Sequence, residues 1–255
     1  MIKVLHKAFD ILEFLAETPE RPRALTEIAG GLGQHPATCA NILKTMVSRH
    51  YVEQVAPKKG YLLGPALFQI SRQAPYRKDL VAAAEPLMAK LAQAVNETVL
   101  LVTLRLGRRF ILAQINGQQQ IQVGPQALIQ DAIYKTATGR LLLAYLPEHE
   151  LEKLVTEHGL LGSQWPEAGN PAAFKKVLAD IRKTGRVCHA PSDEVVGLAF
   201  PVRDHRNEVI AALGLFLPRF RFKGEHKTAI MKGMSATAAA ISACLPVNGN
   251  YKPKK

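Results

Sequence analysis

Cysteine and long apolar runs are scarce in this sequence, and both shortages narrow the classes of protein that it can encode. Three cysteines occur among 255 residues, Cys39, Cys188 and Cys244, and their spacing does not match a metal site. A low and odd cysteine count argues against a disulfide framework and favours a reducing compartment. No apolar run reaches the roughly 18 residues of a membrane-spanning helix, and the N-terminus lacks the apolar core of a signal peptide. We therefore predict a cytoplasmic protein with no metal ion and no cofactor.

Local sequence patterns that accompany catalysis are also missing. The sequence contains no phosphate-binding loop, no nucleophile elbow and no glycine fingerprint for a dinucleotide. Cys188 and His189 form the one adjacent thiol–imidazole pair. Neighbours on a strand point to opposite faces, so this adjacency disfavours a catalytic couple. We predict that the protein is not an enzyme.

Positive charge, in contrast, is abundant. The formal net charge is +12 and the isoelectric point is about 9.7. Such an excess suits a polyanionic partner such as DNA. A composition that is 47% hydrophobic indicates a globular chain, and 255 residues suffice for two domains. The polar, basic residues 247–255 are predicted to form a disordered tail.

Residues 1–64 have the pattern of three short helices followed by a hairpin. Apolar residues recur with helical spacing over residues 3–17 and 36–50, and a shorter helix begins near Thr26 and ends at the glycine cluster 30–33. Two short β-like runs follow, residues 51–55 and 60–63, with a basic turn between them. This order predicts a winged helix-turn-helix domain that presents its third helix to a DNA major groove.

The exposed face predicted for the third helix is small and polar. The amide of Asn41 matches the edge of adenine, and Thr38 can bond a base or a phosphate. The same pattern also fits an ordinary solvated helix face, but the basic turn beside it favours DNA. We predict DNA contacts from Thr26, Gln34, His35, Ala37, Thr38, Asn41, Lys44, Arg49, Lys58 and Lys59.

The rest of the chain mixes strands and helices. Residues 65–78 read as a linker helix, and residues 79–246 read as a second domain. Apolar runs predict one hairpin at residues 99–115, a short strand at 121–123, a second hairpin at 195–217 and a last helix at 223–245. This order predicts an α+β fold with an antiparallel sheet.

Four segments, residues 7–13, 25–29, 38–43 and 60–64, resemble the IclR family of bacterial transcriptional regulators, and the resemblance continues to about Ala243. It implies a winged helix-turn-helix domain, a linker helix that contributes to dimer pairing, and a GAF-like effector-binding domain. It further implies a repressor of catabolic or metabolic genes that binds an inverted-repeat operator as a dimer or a dimer of dimers. Asn41 stands where relatives often have arginine, and Ala37 where they often have serine, so the operator is not transferable.

The resemblance also places an effector pocket between the sheet and the helix that begins near residue 136. The implied effector-binding residues are Tyr134, Thr136, Ala137, Thr138, Cys188, His189, Asp193, Gly214 and Phe216. Gly214 and Phe216 stand where relatives often have serines, so we expect a small carboxylate or aromatic ligand, with room at Gly214 and an apolar wall at Phe216.

Several alternatives remain open at this stage. One alternative is that Thr136 serves only as a helix cap, and another is that Phe216 itself fills the pocket. The second domain would then only oligomerise a constitutive DNA-binding protein. A third reading is an enzyme whose winged module docks a partner protein.

Overall fold

The computed structural model describes residues 1–56, 59–73, 77–120, 129–130, 133–159, 165–190 and 194–245. These residues divide into two compact units, one within residues 1–73 and the other within residues 77–245. The predicted strand at 121–123, the predicted contacts Lys58 and Asp193, and the predicted tail lie outside the described residues.

The first unit is a three-helix module with a two-stranded wing, followed by a fourth helix. Its elements are α1 (Lys3–Ala16), α2 (Leu25–Gly31), α3 (Pro36–Ser48), β1 (Val52–Ala56), β2 (Gly60–Leu63) and α4 (Pro65–Gln73). Gly33 adopts φ +59° in the turn between α2 and α3, a backbone state that favours glycine. Pro36 begins α3, and Nδ1 of His35 accepts a hydrogen bond from the amide of Ala37. The predicted winged helix-turn-helix arrangement is confirmed.

The core of this unit comes from the apolar faces of the three helices. Ile11 and Leu15 of α1, Ile28 of α2, and Cys39 and Leu43 of α3 are all at most 1% exposed. Burial of each large aliphatic side chain contributes about 1.5–3 kcal/mol to folding. The face of α3 opposite to Cys39 and Leu43 is consequently held towards solvent.

The loop before α2 is joined to the wing through a single-residue β-bridge. Backbone hydrogen bonds link Arg23 and Tyr61 in both directions, at 3.0 and 2.9 Å. Gly60 has φ +107°, and a β-carbon there would lie 3.0 Å from the carbonyl oxygen of Arg23. Glycine at position 60 therefore permits both the turn of the wing and the approach of this loop.

The second unit is a six-stranded antiparallel sheet with helices on both faces. Its helices are α5 (Lys78–Val95), α6 (Ala137–Ala144), α7 (Glu148–His158), α8 (Pro171–Thr184) and α9 (Gly224–Ala243). Its strands are β3 (Thr98–Arg105), β4 (Arg108–Ile115), β5 (Ile129–Gln130), β6 (Val187–His189), β7 (Val195–Arg203) and β8 (Val209–Pro218). The order across the sheet is β5-β4-β3-β8-β7-β6, which confirms the predicted α+β class.

Alternate residues of the central strands pack into two separate hydrophobic cores, one on each face of the sheet. Leu101 pairs with Leu213, and both pack with α5 and α9. Val102 pairs with Ala212, and both pack with α6 and α8. This alternation is the period-two geometry of a strand, and it decides which side chains can reach α6.

A buried ion pair joins the start of β3 to the start of α9. Nε and one terminal nitrogen of Arg221 donate to the two carboxylate oxygens of Glu97 at 2.6 and 2.7 Å. Glu97 is 3% exposed, and Nε2 of His226 lies 3.3 Å from the same carboxylate.

Among the described helices, none is long and apolar enough to cross a membrane.

Candidate functional site

Helix α3 presents a small polar face to solvent. Ala37, Asn41 and Lys44 are exposed and Thr38 is partly exposed, while Arg49 is exposed at the C-terminal end of the helix. The apolar spacing predicts a buried side made of Cys39, Ile42, Leu43, Met46 and Val47. The first four are in the core, and Val47 is partly buried against it. A helix with one small, polar, outward face has the shape that a DNA major groove admits.

Three other predicted contacts are also exposed. Thr26 is exposed in the first turn of α2, and His35 is exposed although its ring caps α3. Lys59 is exposed at the turn of the wing. The exposure of these residues agrees with DNA contact, which remains a prediction.

Gln34 is a correction to the predicted DNA contacts. Its side chain is 9% exposed, and its amide nitrogen donates to the carbonyl oxygen of Lys7 at 3.5 Å. The turn before α3 therefore folds back against α1 and buries this amide. Gln34 ties two helices together and is not available to a DNA strand.

Two arginines before α2 were not among the predicted contacts. Arg21 and Arg23 each place a guanidinium nitrogen 2.8 Å from Oε1 of Glu27. The hydrogen bond from Arg23 lowers the pKa of Glu27, with smaller contributions from the Ala24 amide and Arg21. Arg21 keeps 63% of its side chain exposed, so it adds a solvent-accessible cation beside the first turn of α2. In the sequence, the polar and basic composition of the loop at residues 20–24 could have indicated these two cations.

In the second unit, the first turn of α6 lies directly on the sheet. A β-carbon on Gly197 would lie 3.4 Å from Cβ of Ala137, and a β-carbon on Gly214 would lie 2.5 Å from Cγ2 of Thr138. The prediction of room for a ligand at Gly214 is therefore wrong, because the methyl group of Thr138 occupies that space. Glycine at 214 instead lets the helix approach the strand.

Thr136 caps this helix, as the alternative reading predicted. Its Oγ1 accepts the amide hydrogen of Gly139 at 3.1 Å. One of the free amides at the start of α6 is thereby satisfied by the chain itself. A ligand at this turn has to use other donors.

Aromatic residues pack beside α6 in the same core. Tyr134 is 2% exposed, donates its hydroxyl to the carbonyl oxygen of Gly159 at 3.2 Å, and meets Phe174 edge-on with ring centroids 6.4 Å apart. Phe174 also meets Trp165 edge-on at 5.9 Å. Phe216 belongs to this core cluster and is 7% exposed, so Tyr134 and Phe216 lie on the side of the sheet where they were expected.

The two neighbours on β6 point to opposite faces of the sheet. His189 pairs with Gly197, beneath α6, and burial followed by the charge of Arg140 lowers its pKa to about 4. Cys188 pairs with Leu198, whose side chain packs with α5 and α9, and Lys227 of α9 is among its charged neighbours. Cys188 therefore faces away from α6, and its predicted effector contact is wrong.

Two buried arginines, one on β4 and one in α6, were not expected. Arg109 is 0% exposed and donates from Nη1 to Oγ1 of Thr138 at 3.3 Å. Arg140 is 6% exposed, donates from Nε to the carbonyl oxygen of Tyr134 at 2.7 Å, and lies 4.5 Å from the ring centroid of Trp165. Burial lowers the pKa of each guanidinium to about 10, so both stay protonated at neutral pH.

The misreading of Arg109 has a simple cause. A glycine followed by two arginines, at residues 107–109 within the predicted hairpin, is typical of a turn, whereas β4 already begins at Arg108. Arg108 is exposed and Arg109 faces the core, as strand alternation requires.

Within the described part of the chain, no group of three or more His, Cys, Asp or Glu side chains is arranged to hold a metal ion.

Comparisons with known proteins cover nearly the whole chain. Residues 4–56 match the IclR helix-turn-helix domain, and residues 73–243 match the family described as bacterial transcriptional regulator IclR C-terminal. The chain is 27% identical over 240 residues to the HTH-type transcriptional regulator KdgR of Escherichia coli, covering 93% of this chain and 90% of that protein. It is 29% identical over 188 residues to TtgV of Pseudomonas putida, covering 72% and 69%.

Solved structures share the fold. An IclR transcriptional regulator from Alicyclobacillus acidocaldarius superposes with a TM-score of 0.73 at 24% identity, covering 96% of this chain and 99% of that one. An IclR homolog from Microbacterium hydrocarbonoxydans, in complex with 4-hydroxybenzoate, gives a TM-score of 0.72 at 19% identity, covering 95% and 98%.

Proposed function

Because the chain belongs to the IclR family of bacterial transcriptional regulators, we propose that it represses catabolic or metabolic genes by binding an inverted-repeat operator. Its helix-turn-helix domain binds DNA, and its C-terminal effector domain receives a small carboxylate or aromatic metabolite. The observation that carries this proposal is the exposed face of α3, where Asn41 and Lys44 stand opposite a fully apolar buried side.

Charge and geometry support the DNA-binding half of the proposal. Asn41 lies in the middle of the exposed face, and its amide can donate to N7 and accept from N6 of adenine. Lys44 lies about one turn further along the helix, and Lys59 lies on the wing, so both can approach phosphates. The net charge of +12 favours association with any DNA.

Exposed apolar residues support a dimer. The first unit leaves Phe9 of α1 58% exposed and Phe68 of α4 62% exposed, and neighbouring Leu5 and Ile70 are about as exposed, at 50% and 51%. Exposed apolar patches on soluble proteins commonly mark contacts with other protein surfaces. A symmetric dimer would also match the two half-sites of an inverted repeat. Light scattering that finds a monomer at micromolar concentration, with and without DNA, would refute the dimer.

The effector half of the proposal rests on the family and on the buried polar groups beside α6. One structural relative carries 4-hydroxybenzoate, which combines a carboxylate with an aromatic ring. The aromatic core at Tyr134, Trp165 and Phe174 lies against the buried guanidinium of Arg140. An effector changes DNA binding only if it binds one arrangement of the protein better than another.

The DNA-binding proposal is tested by replacing Asn41. Asn41→Ala should cost about 1–3 kcal/mol on the operator and little on a shuffled duplex, because the amide reads a base. The operator is first located by footprinting the region upstream of the protein's own gene. Gln73→Ala, which removes an exposed amide at the end of α4, serves as a control and should change neither affinity. Equal weakening on both duplexes by Asn41→Ala would remove its base-reading role.

One observation favours a second candidate function. The methyl group of Thr138 takes the space expected at Gly214, which suits a constitutive DNA-binding protein whose second domain only oligomerises. A thermal-shift screen with small acids and aromatics separates the two, because a ligand stabilises the state that it binds. A ligand that both stabilises the protein and changes its affinity for the operator supports the regulator. The absence of both effects supports the constitutive protein.

A further inference from the structure

We propose that Arg21 binds a phosphate of the DNA backbone, and that Glu27 holds the Arg21 guanidinium in the free protein and releases it when DNA binds. This inference rests on the proposed function of a DNA-binding regulator. It adds a phosphate contact outside α3 and the wing. It also adds an acidic group of the chain itself that competes with DNA for this contact.

The two arginines of the loop before α2 have different surroundings, although each places a nitrogen 2.8 Å from Oε1 of Glu27. Arg23 is 14% exposed. Its Nε donates to Oγ1 of Thr18 at 2.8 Å, and its guanidinium lies 5.0 Å from the ring centroid of Phe14. Arg23 is therefore fixed by the fold. Arg21 keeps 63% of its side chain exposed, and its guanidinium meets Glu27 at the surface of the protein.

The carboxylate of Glu27 does not depend on Arg21 for its position. Its Oε2 accepts a hydrogen bond from the backbone amide of Ala24 at 3.3 Å, and its Oε1 also accepts one from Nη1 of Arg23. When Arg21 leaves, the carboxylate keeps an ion pair and a helix-capping hydrogen bond. One carboxylate and two guanidiniums together carry a net charge of +1. The arginine that is able to leave is therefore also the one that supplies the excess charge.

Exchange of Glu27 for a phosphate is favourable for Arg21. Ion pairs between exposed side chains contribute little to stability, because water and salt screen the two charges. A phosphate contact releases a counterion that is condensed on the DNA, and this release drives binding. A guanidinium can also bind two phosphate oxygens at once. Arg21 therefore gains more at a phosphate than it loses at Glu27.

The position of Arg21 in the fold brings it to the DNA backbone. In a helix-turn-helix domain the second helix enters the major groove, and the first helix crosses the phosphate backbone. Helix α2 is that first helix, and the pair of Arg21 and Glu27 joins the preceding loop to its first turn. Backbone hydrogen bonds between Arg23 and Tyr61 connect the same loop to the wing. Arg21 thus belongs to a loop that connects two elements expected to approach phosphates.

Glu27 explains why two arginines are needed here. It is the acidic residue in the first turn of α2, and a bare carboxylate on a helix that crosses the DNA backbone would repel the phosphates. When Arg21 moves to a phosphate, Arg23 remains 2.8 Å from Glu27 and keeps its charge compensated. The competition between Glu27 and phosphate then limits how tightly the protein binds DNA of any sequence.

The test measures the salt dependence of DNA binding by the full chain. Fluorescence anisotropy is recorded with the footprinted operator and with a shuffled duplex at several salt concentrations. Arg21→Met should weaken both duplexes by the same factor, about fivefold to tenfold near 0.1 M salt, and should reduce the slope of log affinity against log salt by about 1. Arg21→Lys keeps the charge and should retain most of the affinity and the slope. A merely structural ion pair would change the thermal midpoint and leave the slope unchanged.

Arg206→Met is the matched control for the loss of one exposed cation. Arg206 is 64% exposed, against 63% for Arg21, and it pairs with Glu208 at 3.0 Å in the second unit. Its replacement removes the same charge from the chain and should leave DNA affinity and slope unchanged. Equal losses from Arg206→Met and Arg21→Met would overturn the contact, because net charge alone would then explain both.

Glu27→Gln tests the competition. Glutamine can still accept the hydrogen bond from the amide of Ala24, but it lacks the negative charge that holds Arg21. Affinity for both duplexes should rise by about twofold to fivefold. In the Arg21→Met background the same change should raise affinity clearly less, because no guanidinium remains to be released. Equal gains in the two backgrounds would overturn the competition, since Glu27 would then act on DNA directly.

The inference and the proposed function fail in different ways. Wild-type affinity and slope in Arg21→Met would overturn the inference, and the proposed function would stand if the protein still prefers the operator. A loss confined to the operator would overturn the phosphate contact, because Arg21 would then read a base. Equal wild-type affinity for the two duplexes would refute the proposed function, and the inference would stand if Arg21→Met weakens both and lowers the slope. Absence of binding to either duplex would overturn both.

Discussion

Cγ2 of Thr138 lies so close to Gly214 that a β-carbon on Gly214 would be 2.5 Å from it. Helix α6 and strand β8 therefore approach each other across a glycine. The same threonine bonds the buried guanidinium of Arg109. Both contacts hold the first turn of α6 against the sheet, at the end of the helix where the effector site is proposed.

Gly214→Ala should destabilise the second unit by about 1–3 kcal/mol, since one added methyl group must push α6 away from the sheet. Urea denaturation followed by Trp165 fluorescence measures the change. Gly197→Ala is the control, because its β-carbon would meet Ala137 at 3.4 Å, and it should cost clearly less. Equal stability of Gly214→Ala and the wild type would show that α6 is not held at this contact.

Removal of one partner of the ion pair between Glu97 and Arg221 should cause a large loss of folding stability. Arg221→Met leaves the 3%-exposed Glu97 carboxylate without its bidentate partner and should cost about 3–5 kcal/mol. Arg206→Met removes an exposed pair with Glu208 at 3.0 Å and should cost at most about 1 kcal/mol. The same denaturation experiment measures both, and similar losses for the two variants would contradict the assignment of Glu97 as a buried anchor.

Stability of the second unit should fall as the pH drops from about 6.5 to about 4. Burial, and then the charge of Arg140, lowers the pKa of His189 to about 4 from its ordinary 6.5. Over this range the unfolded chain binds a proton that folded His189 does not, so unfolding is favoured as the pH falls. His189→Gln should remove this part of the pH dependence, while exposed His205→Gln should keep it. Identical pH profiles for the wild type and His189→Gln would exclude the effect.

Lys59 should strengthen DNA binding by contacting a phosphate of the DNA backbone, and it should not contact a base. Lys59→Ala should weaken the operator and a shuffled duplex to the same extent and reduce the slope of log affinity against log salt by about 1. Lys153→Ala, on an exposed site of α7 in the other unit, should change neither quantity. A loss confined to the operator would mean that the wing reads sequence at this position.

Helical features were predictable because their periodicity is local. The spacing of Cys39, Ile42, Leu43 and Met46 indicates one face of α3, and the structure buries all four. The same reasoning exposes Asn41 and Lys44. The order of helices and hairpins likewise identifies the fold class, since each element depends mainly on its own residues.

Features that depend on distant contacts were missed. Gln34 looks like a polar turn residue, but the turn packs on α1 and buries it. Cys188 lies in a three-residue strand, too short to show which face each side chain takes. Arg109 follows a turn signal, and its burial depends on Thr138, which is 29 residues away in the sequence. Glycine at 214 suggested open space, whereas a neighbouring helix takes it.

The central claim is that this chain reads a specific DNA sequence. Its most direct test is a fluorescence-anisotropy titration of the full chain against the duplex footprinted upstream of its own gene and against a shuffled duplex, at one physiological salt concentration. The account predicts that the footprinted duplex binds about 10³-fold more tightly or better. Equal affinity for the two duplexes would contradict it.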